Sequence, residues 1–178
     1  MKRQTIPFDR LSFPLIQRLN NRWMLLAAGD NTPGGFNVMT VSWGGLGVIW
    51  NKPLAIVLVR PSRFTYTFIE KCETFTLSVF PGEFKDQLTL CGTRSGRAMD
   101  KVKACGFTPI PSASVTAPSF DEAELILECR KTYFTDLDPS HFIAPYIEAN
   151  YGGRDYHRMY FGEILSVQGS VDYSQKTP

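Results

Sequence analysis

The sequence predicts a mainly β domain, a closed antiparallel barrel with short helical insertions. Three observations lead there. About six segments read as strands, against two or three short helices, so strands do not alternate with long helices as in a doubly wound parallel sheet. No G-x-G-x-x-G follows the first strand, which removes the dinucleotide-binding version of that sheet. Aromatic content is generous, with 13 Phe and 7 Tyr, as suits either a sheet core or a site that stacks planar ligands. With 178 residues the chain is expected to form one domain, 1–178, with a core from about 5 to 167. At this size roughly 70% of the unfolded surface is buried, and no covalent staple is needed.

The elements follow in chain order. Residues 22–28 are mostly apolar and read as a strand. Asp30-Asn31-Thr32-Pro33-Gly34-Gly35 reads as a turn and 36–42 as a second strand, giving a hairpin with a longer loop. Trp43-Gly44-Gly45-Leu46-Gly47 is expected to break regular structure and to let the backbone approach something closely. Residues 54–59 form a continuous apolar run, expected as a strand buried on both faces. Arg60-Pro61-Ser62-Arg63 ends it. Ser62 is expected to cap a helix whose Phe64, Phe68, Ile69 and Cys72 share one face. In 74–79, Phe75, Leu77 and Val79 alternate with Thr74, Thr76 and Ser78, the clearest strand signal in the chain. A short helix is expected over 83–90, a break at 91–94, and a further helix capped by Ser95. A long connection fills 107–120. Strands follow at 123–134 and 156–167, separated by an irregular stretch, and the polar tail after Gly169 is expected to fray.

Composition excludes several functions. A formal charge of +2 lacks the basic excess of a nucleic-acid footprint. The charged N-terminus precedes no apolar stretch of signal-peptide length, and 54–59 is too short to cross a bilayer. A cytoplasmic protein with no membrane partner is expected. Cys72, Cys91, Cys105 and Cys129 show no metal or redox spacing and read as buried thiols. Cys91 stands apart because its neighbours are basic and glycine-rich. Of the two histidines, His141 reads as a loop residue, and His157, opening a strand, as a structural or surface residue, with a place at a site rim as the alternative. Neither H-E-x-x-H nor G-x-S-x-G occurs, so no metal and no catalytic side chain is assigned. So few acid–base groups point to a cofactor that carries the chemistry.

Two cationic stretches are candidates for holding it. Arg60-Pro61-Ser62-Arg63-Phe64-Thr65 and Cys91-Gly92-Thr93-Arg94-Ser95-Gly96-Arg97, the latter followed by Lys101 and Lys103, combine arginines, hydroxyls and an expected helix start. Helix N-termini and arginine forks both favour phosphate. The other reading is a pair of solvated helix starts. The strand Asn37-Val38-Met39-Thr40-Val41-Ser42-Trp43 places Asn37, Met39, Val41 and Trp43 on one face and Val38, Thr40 and Ser42 on the other. Its polar face either leans on a ligand or forms the wet side of an edge strand. Trp43 either stacks on a planar ring or fills the core.

Taken in order, Asn37 to Gly44, Arg60 to Tyr66, and Cys91 to Arg97 with Asp100-Lys101 resemble the flavin reductase-like family of FMN-binding split barrels, particularly its flavoredoxin-like branch. Tyr156-His157-Arg158-Met159-Tyr160-Phe161-Gly162-Glu163-Ile164 is similar to that family's last barrel strand, so the resemblance covers about 5–167. It implies a homodimer with FMN at or near the subunit interface. It implies that Met39, Thr40, Val41 and Ser42 lie along the flavin ring, flanked by Asn37 and Trp43. Arg60, Pro61, Ser62, Arg63 and Thr65, with Ser95, Gly96 and Arg97, would hold the ribityl chain and phosphate. Cys91, close to that loop with Gly92, would take a packing or flavin-edge role and not act as the reaction's nucleophile, and Lys101 would add a phosphate or flavin contact. The implied activity passes electrons from NADH or NADPH through FMN to an acceptor. The alternatives are a flavoredoxin-type FMN electron carrier without its own nicotinamide site, and a non-redox barrel for a small ligand.

Overall fold

The computed structural model describes residues 2–175. Its strands are β1 (Gln4–Thr5), β2 (Met24–Gly29), β3 (Phe36–Val41), β4 (Gly44–Ile49), β5 (Lys52–Val59), β6 (Thr74–Val79), β7 (Pro109–Ile110), β8 (Ser119–Phe120), β9 (Leu125–Asp136) and β10 (Arg158–Gly169). The α-helices are α1 (Leu15–Gln17), α2 (Phe64–Lys71), α3 (Lys85–Thr93) and α4 (Lys101–Cys105). No helix among the described residues is long and apolar enough to cross a membrane.

Hydrogen bonds order the main sheet β3-β2-β6-β9-β10-β5-β4, with β1 added on β10, and every one of these ladders is antiparallel. β3 and β4 stand at opposite ends of that order, yet only Ser42 and Trp43 separate them in sequence. A flat sheet would put them about 29 Å apart, whereas the connecting chain reaches at most about 11 Å. The sheet therefore curls into a barrel. No ladder joins β3 to β4, so the barrel is split along that seam, where strand pattern alone predicts closure.

Two cores result. β2 is buried at all six positions, and alternation divides its side chains between them. Met24, Leu26 and Ala28 enter the barrel with Met39, Val57, Phe75 and Leu77. Leu25 and Ala27 face outward onto Val38, Leu88, Cys91 and Phe107, beneath α3. This double burial is why the run reads as apolar without alternation. β6 keeps its predicted bounds, and Phe75, Leu77 and Val79 join the barrel core.

Elsewhere the structure corrects the reading. The expected break at 43–47 is mostly strand β4, which pairs with β5 from Gly44↔Val57 to Ile49↔Lys52. Trp50 and Asn51 close that hairpin with φ of 55° and 58°, the left-handed pair of a two-residue turn. β5 is not fully buried, since Ile56 and Leu58 are half-buried. Ser62 does not cap α2. Arg63 holds the N-cap position without a side-chain bond. The expected break at 91–94 begins as helix, because α3 runs to Thr93. Ser95 caps nothing: its Oγ accepts from the Arg97 N–H at 3.2 Å inside a turn. Asp100 caps α4 instead, accepting from the Lys103 N–H at 3.0 Å. The tail is anchored through Tyr173, which is buried and donates its hydroxyl to Glu124. Residues 176–178 lie outside the described residues.

Candidate functional site

Side chains draw β3, α2, α3 and the following loop together at one end of the seam. The Asn37 amide donates to Thr65 Oγ1 at 2.6 Å, fastening β3 to α2. The Thr40 hydroxyl donates to the Leu88 carbonyl, fastening β3 to α3. Gly96 has no room for a side chain, since a Cβ there would lie 2.1 Å from Asn37 Oδ1. The loop after α3 therefore packs flush against β3.

Between these elements lies a cavity of about 180 Å³. Arg63 and Lys101 set its electrostatics. Arg63 Nη1 donates to the Gly92 carbonyl at 2.8 Å, and Lys101 Nζ to the Cys91 carbonyl at 3.1 Å. Both cations thus sit at the carbonyl end of α3, where helix partial charge is negative. Among the described residues, no carboxylate lies within 4.0 Å of Arg63, Arg97 or Lys101. Lys101 is only 4% exposed, and burial first, then the Arg63 charge, pushes its pKa down. Each cation has more N–H donors than these carbonyls use. Thr65, Thr93, Ser95 and Gly96 line the same cavity. That donor set fits a phosphate: an anion would satisfy the spare donors and relieve the repulsion between the two cations.

A second cavity, of about 220 Å³, shares Met39 and Arg63 with the first. One wall is Met39 to Trp43. The others include Leu58, Arg60 and His157. Among the described residues β3 pairs only with β2, so alternate N–H and C=O groups of β3 point to the open seam with no ladder partner among them. The Trp43 ring lies 5.1 Å from that of His157 and edge-on to Tyr151 at 6.5 Å. Tyr151 Oη meets His157 Nδ1 at 2.8 Å. Burial, with the Arg60 charge, lowers the His157 pKa from 6.5 to about 4. The imidazole is neutral at pH 7. In the tautomer in which the phenol donates to Nδ1, the imidazole proton sits on Nε2.

Below pH 6.5 the unfolded chain takes up a proton that the folded chain takes only near pH 4. The contribution of neutral His157 is therefore complete above pH 6.5 and is lost as pH falls toward 4. Urea unfolding across this range should show a stability decline that His157→Gln flattens. Parallel declines for both proteins would contradict a buried neutral imidazole.

The sequence-selected residues divide as follows. Met39, Ser62, Arg63, Thr65, Cys91, Ser95, Gly96 and Lys101 line the first cavity, and Thr40, Val41, Ser42, Trp43 and Arg60 line the second. Val41 is core, 3% exposed. Asn37, Pro61, Gly92 and Arg97 line neither cavity. Pro61 is exposed. Gly92 presents its carbonyl to Arg63 and packs on Thr40. Arg97 covers the Phe64 ring at 4.8 Å and donates to the Ser62 carbonyl at 3.3 Å. Ser62 Oγ donates to Asp155 Oδ2 at 2.6 Å, and Arg60 Nη2 to the Asn150 carbonyl at 2.7 Å. These bonds dock the segment that carries Tyr151. The Cys91 thiol is 1% exposed with its pKa pushed up to about 12 by burial, so at neutral pH it packs as the neutral thiol. Phe64, Thr93 and Arg94, which belong to the two candidate stretches but carry no individual expected role, line the first cavity, and His157, expected as a structural or surface residue, lines the second. The missing signal for His157 was register: Arg158 pairs with Val59, which sets His157 beside Arg60.

Known proteins place this architecture. Flavoredoxin of Desulfovibrio vulgaris (Miyazaki F) superposes with a TM-score of 0.66 at 21% identity, over 97% of this chain and 78% of that one. Flavoredoxin from Methanosarcina acetivorans gives 0.64 at 23% identity, over 94% and 73%. In sequence, an uncharacterized protein of Archaeoglobus fulgidus is 28% identical over 132 residues, 74% of this chain and 72% of that protein. An uncharacterized protein of Pyrococcus abyssi is 34% identical over 121 residues, 67% of this chain and 63% of that protein. A family profile described as the flavin reductase like domain matches residues 16–173. With nearly all of the barrel and both cavities inside that span, the chain belongs to the flavin reductase like domain family.

Proposed function

We propose that the chain binds FMN across the two joined cavities and works as a flavin-dependent oxidoreductase taking electrons from NADH or NADPH. The observation that carries this reading is the acid-free pair of half-buried Arg63 and buried Lys101, in a cavity that opens past Met39 onto the free edge of β3. Bound FMN supplies the electron-transfer chemistry. Arg63 and Lys101 neutralise its phosphate, helped by the Ser95 and Gly96 loop. Unpaired main-chain groups from Met39 to Ser42 orient the pyrimidine edge of the ring. Arg60 and the Nε2–H of His157 supply positive potential and a donor in the ring cavity, while Trp43 and Leu58 exclude water. This donor arrangement favours a ligand that gains negative charge, and no side-chain acid is required.

A carrier that accepts electrons only from a protein donor is the second reading, and the flavoredoxins that share the fold favour it. Anaerobic mixing of the FMN form with NADH or NADPH separates the two. Bleaching of the flavin band within seconds supports the reductase. A band that stays until a protein donor is added supports the carrier.

The reading includes a homodimer. Val48, Trp50, Tyr133 and Phe134 are 66%, 60%, 51% and 52% exposed, and Trp50 contacts Tyr133 edge-on at 6.1 Å. The exposed aromatic pair Trp50 and Tyr133 is the surface this reading assigns to the dimer. Trp50→Glu is expected to shift sedimentation from dimer to monomer. An unchanged dimer would place the interface elsewhere.

A further inference from the structure

Cys91 and Cys105 are both buried, and their sulfurs lie 3.7 Å apart. Cys91 is in the last turn of α3, and Cys105 ends α4. Between them the chain carries Thr93, Arg94, Ser95, Gly96 and Lys101, all of which line the first cavity, as does Cys91 itself. The thiols therefore sit at the two ends of the loop that forms one wall of the anion site. Lys101 reinforces the same closure by donating to the Cys91 carbonyl.

We propose that Cys91 and Cys105 form a reversible intrachain disulfide that staples the base of this loop and slows release of the phosphate-bearing ligand. The second half of the proposal rests on the FMN reading above. The oxidant is a low-molecular-weight disulfide. Cys105, the more exposed of the two at 8% against 1%, attacks it as the thiolate after losing its proton to solvent. A mixed disulfide forms and one small thiol leaves. Cys91 loses its proton and attacks the Cys105 sulfur, and the second small thiol leaves. Two protein thiols are oxidised, one small disulfide is reduced to two thiols, and an added dithiol reverses the exchange. The sulfurs must approach from 3.7 Å to about 2.05 Å. Side-chain rotation and a small shift of α4 toward α3 provide that movement. Cys72 and Cys129 are on other elements and have no thiol partner within bonding distance among the described residues.

The test exposes the whole chain to excess oxidised glutathione, maps its thiols by mass spectrometry, and then follows FMN release by fluorescence. The expected product is lighter by two hydrogens, with Cys91 joined to Cys105 and both restored by dithiothreitol. Cys105→Ser should not give it, and Cys72→Ser should. FMN release should slow at least threefold in the oxidised wild type and stay unchanged in Cys105→Ser. Free thiols at both positions after exposure, or glutathione adducts at Cys72 alone, would overturn the disulfide. A disulfide that leaves the release rate unchanged would overturn the staple. Absence of FMN binding in both forms would count against the flavin reading, and thiol mapping would still decide the pairing.

Discussion

Arg63→Ala is expected to weaken FMN binding by about 1.5–3 kcal/mol, roughly ten- to a hundredfold, the scale of a lost charged hydrogen bond. Arg63 lines both cavities and has no carboxylate partner among the described residues. Its removal deletes one cation of the phosphate end and leaves buried Lys101 with exposed Arg94 there. Riboflavin lacks the phosphate, so its affinity should change far less. Arg63→Lys should fall between wild type and alanine, because it keeps the charge and loses the planar fork. The check is fluorescence titration of each ligand against each variant. Equal losses of FMN and riboflavin would show that Arg63 acts on the ring or on the fold and not on the phosphate.

Gly44→Val is expected to destabilise the fold by about 2–6 kcal/mol, combining backbone strain of about 1–3 with overpacking of about 1–3. Gly44 begins β4 with φ of 152°, and a Cβ there would lie 2.2 Å from the Ile56 carbonyl oxygen. That oxygen is main chain inside the β4–β5 ladder and cannot swing aside. At Gly47, in the same strand, a Cβ would meet nothing within 4 Å. Gly47→Ala is therefore the control and should stay within about 0.5 kcal/mol. Urea midpoints measure both. Similar midpoints for Gly44→Val and wild type would contradict the tight start of β4 that brings the seam together.

The legible parts of the fold are those whose side chains carry a period. β6 was readable because Phe75, Leu77 and Val79 alternate with hydroxyl residues. β4 was not, because glycines at 44, 45 and 47 remove the side chains that would have shown alternation. The end of α3 was hidden by Gly92, which looks like a helix stop. The helix continues because Leu88 and Cys91 are buried and because Gly92 lets α3 approach Thr40 closely. In the candidate site, the residue types were legible and their arrangement was not. Arg63 and Lys101 stood out as cations, but they gather at the carbonyl end of α3 and not at a helix start at Ser95. His157 needed a long-range fact, the β5–β10 register, that no local pattern contains.

The central claim is that the joined cavities recognise a flavin by its phosphate. Titration of FMN and riboflavin with the wild-type chain, followed by flavin fluorescence, tests it most directly. Saturable quenching of FMN at micromolar protein is expected, with riboflavin bound at least tenfold more weakly. FMN fluorescence unchanged at that concentration, or FMN and riboflavin bound equally well, would contradict it.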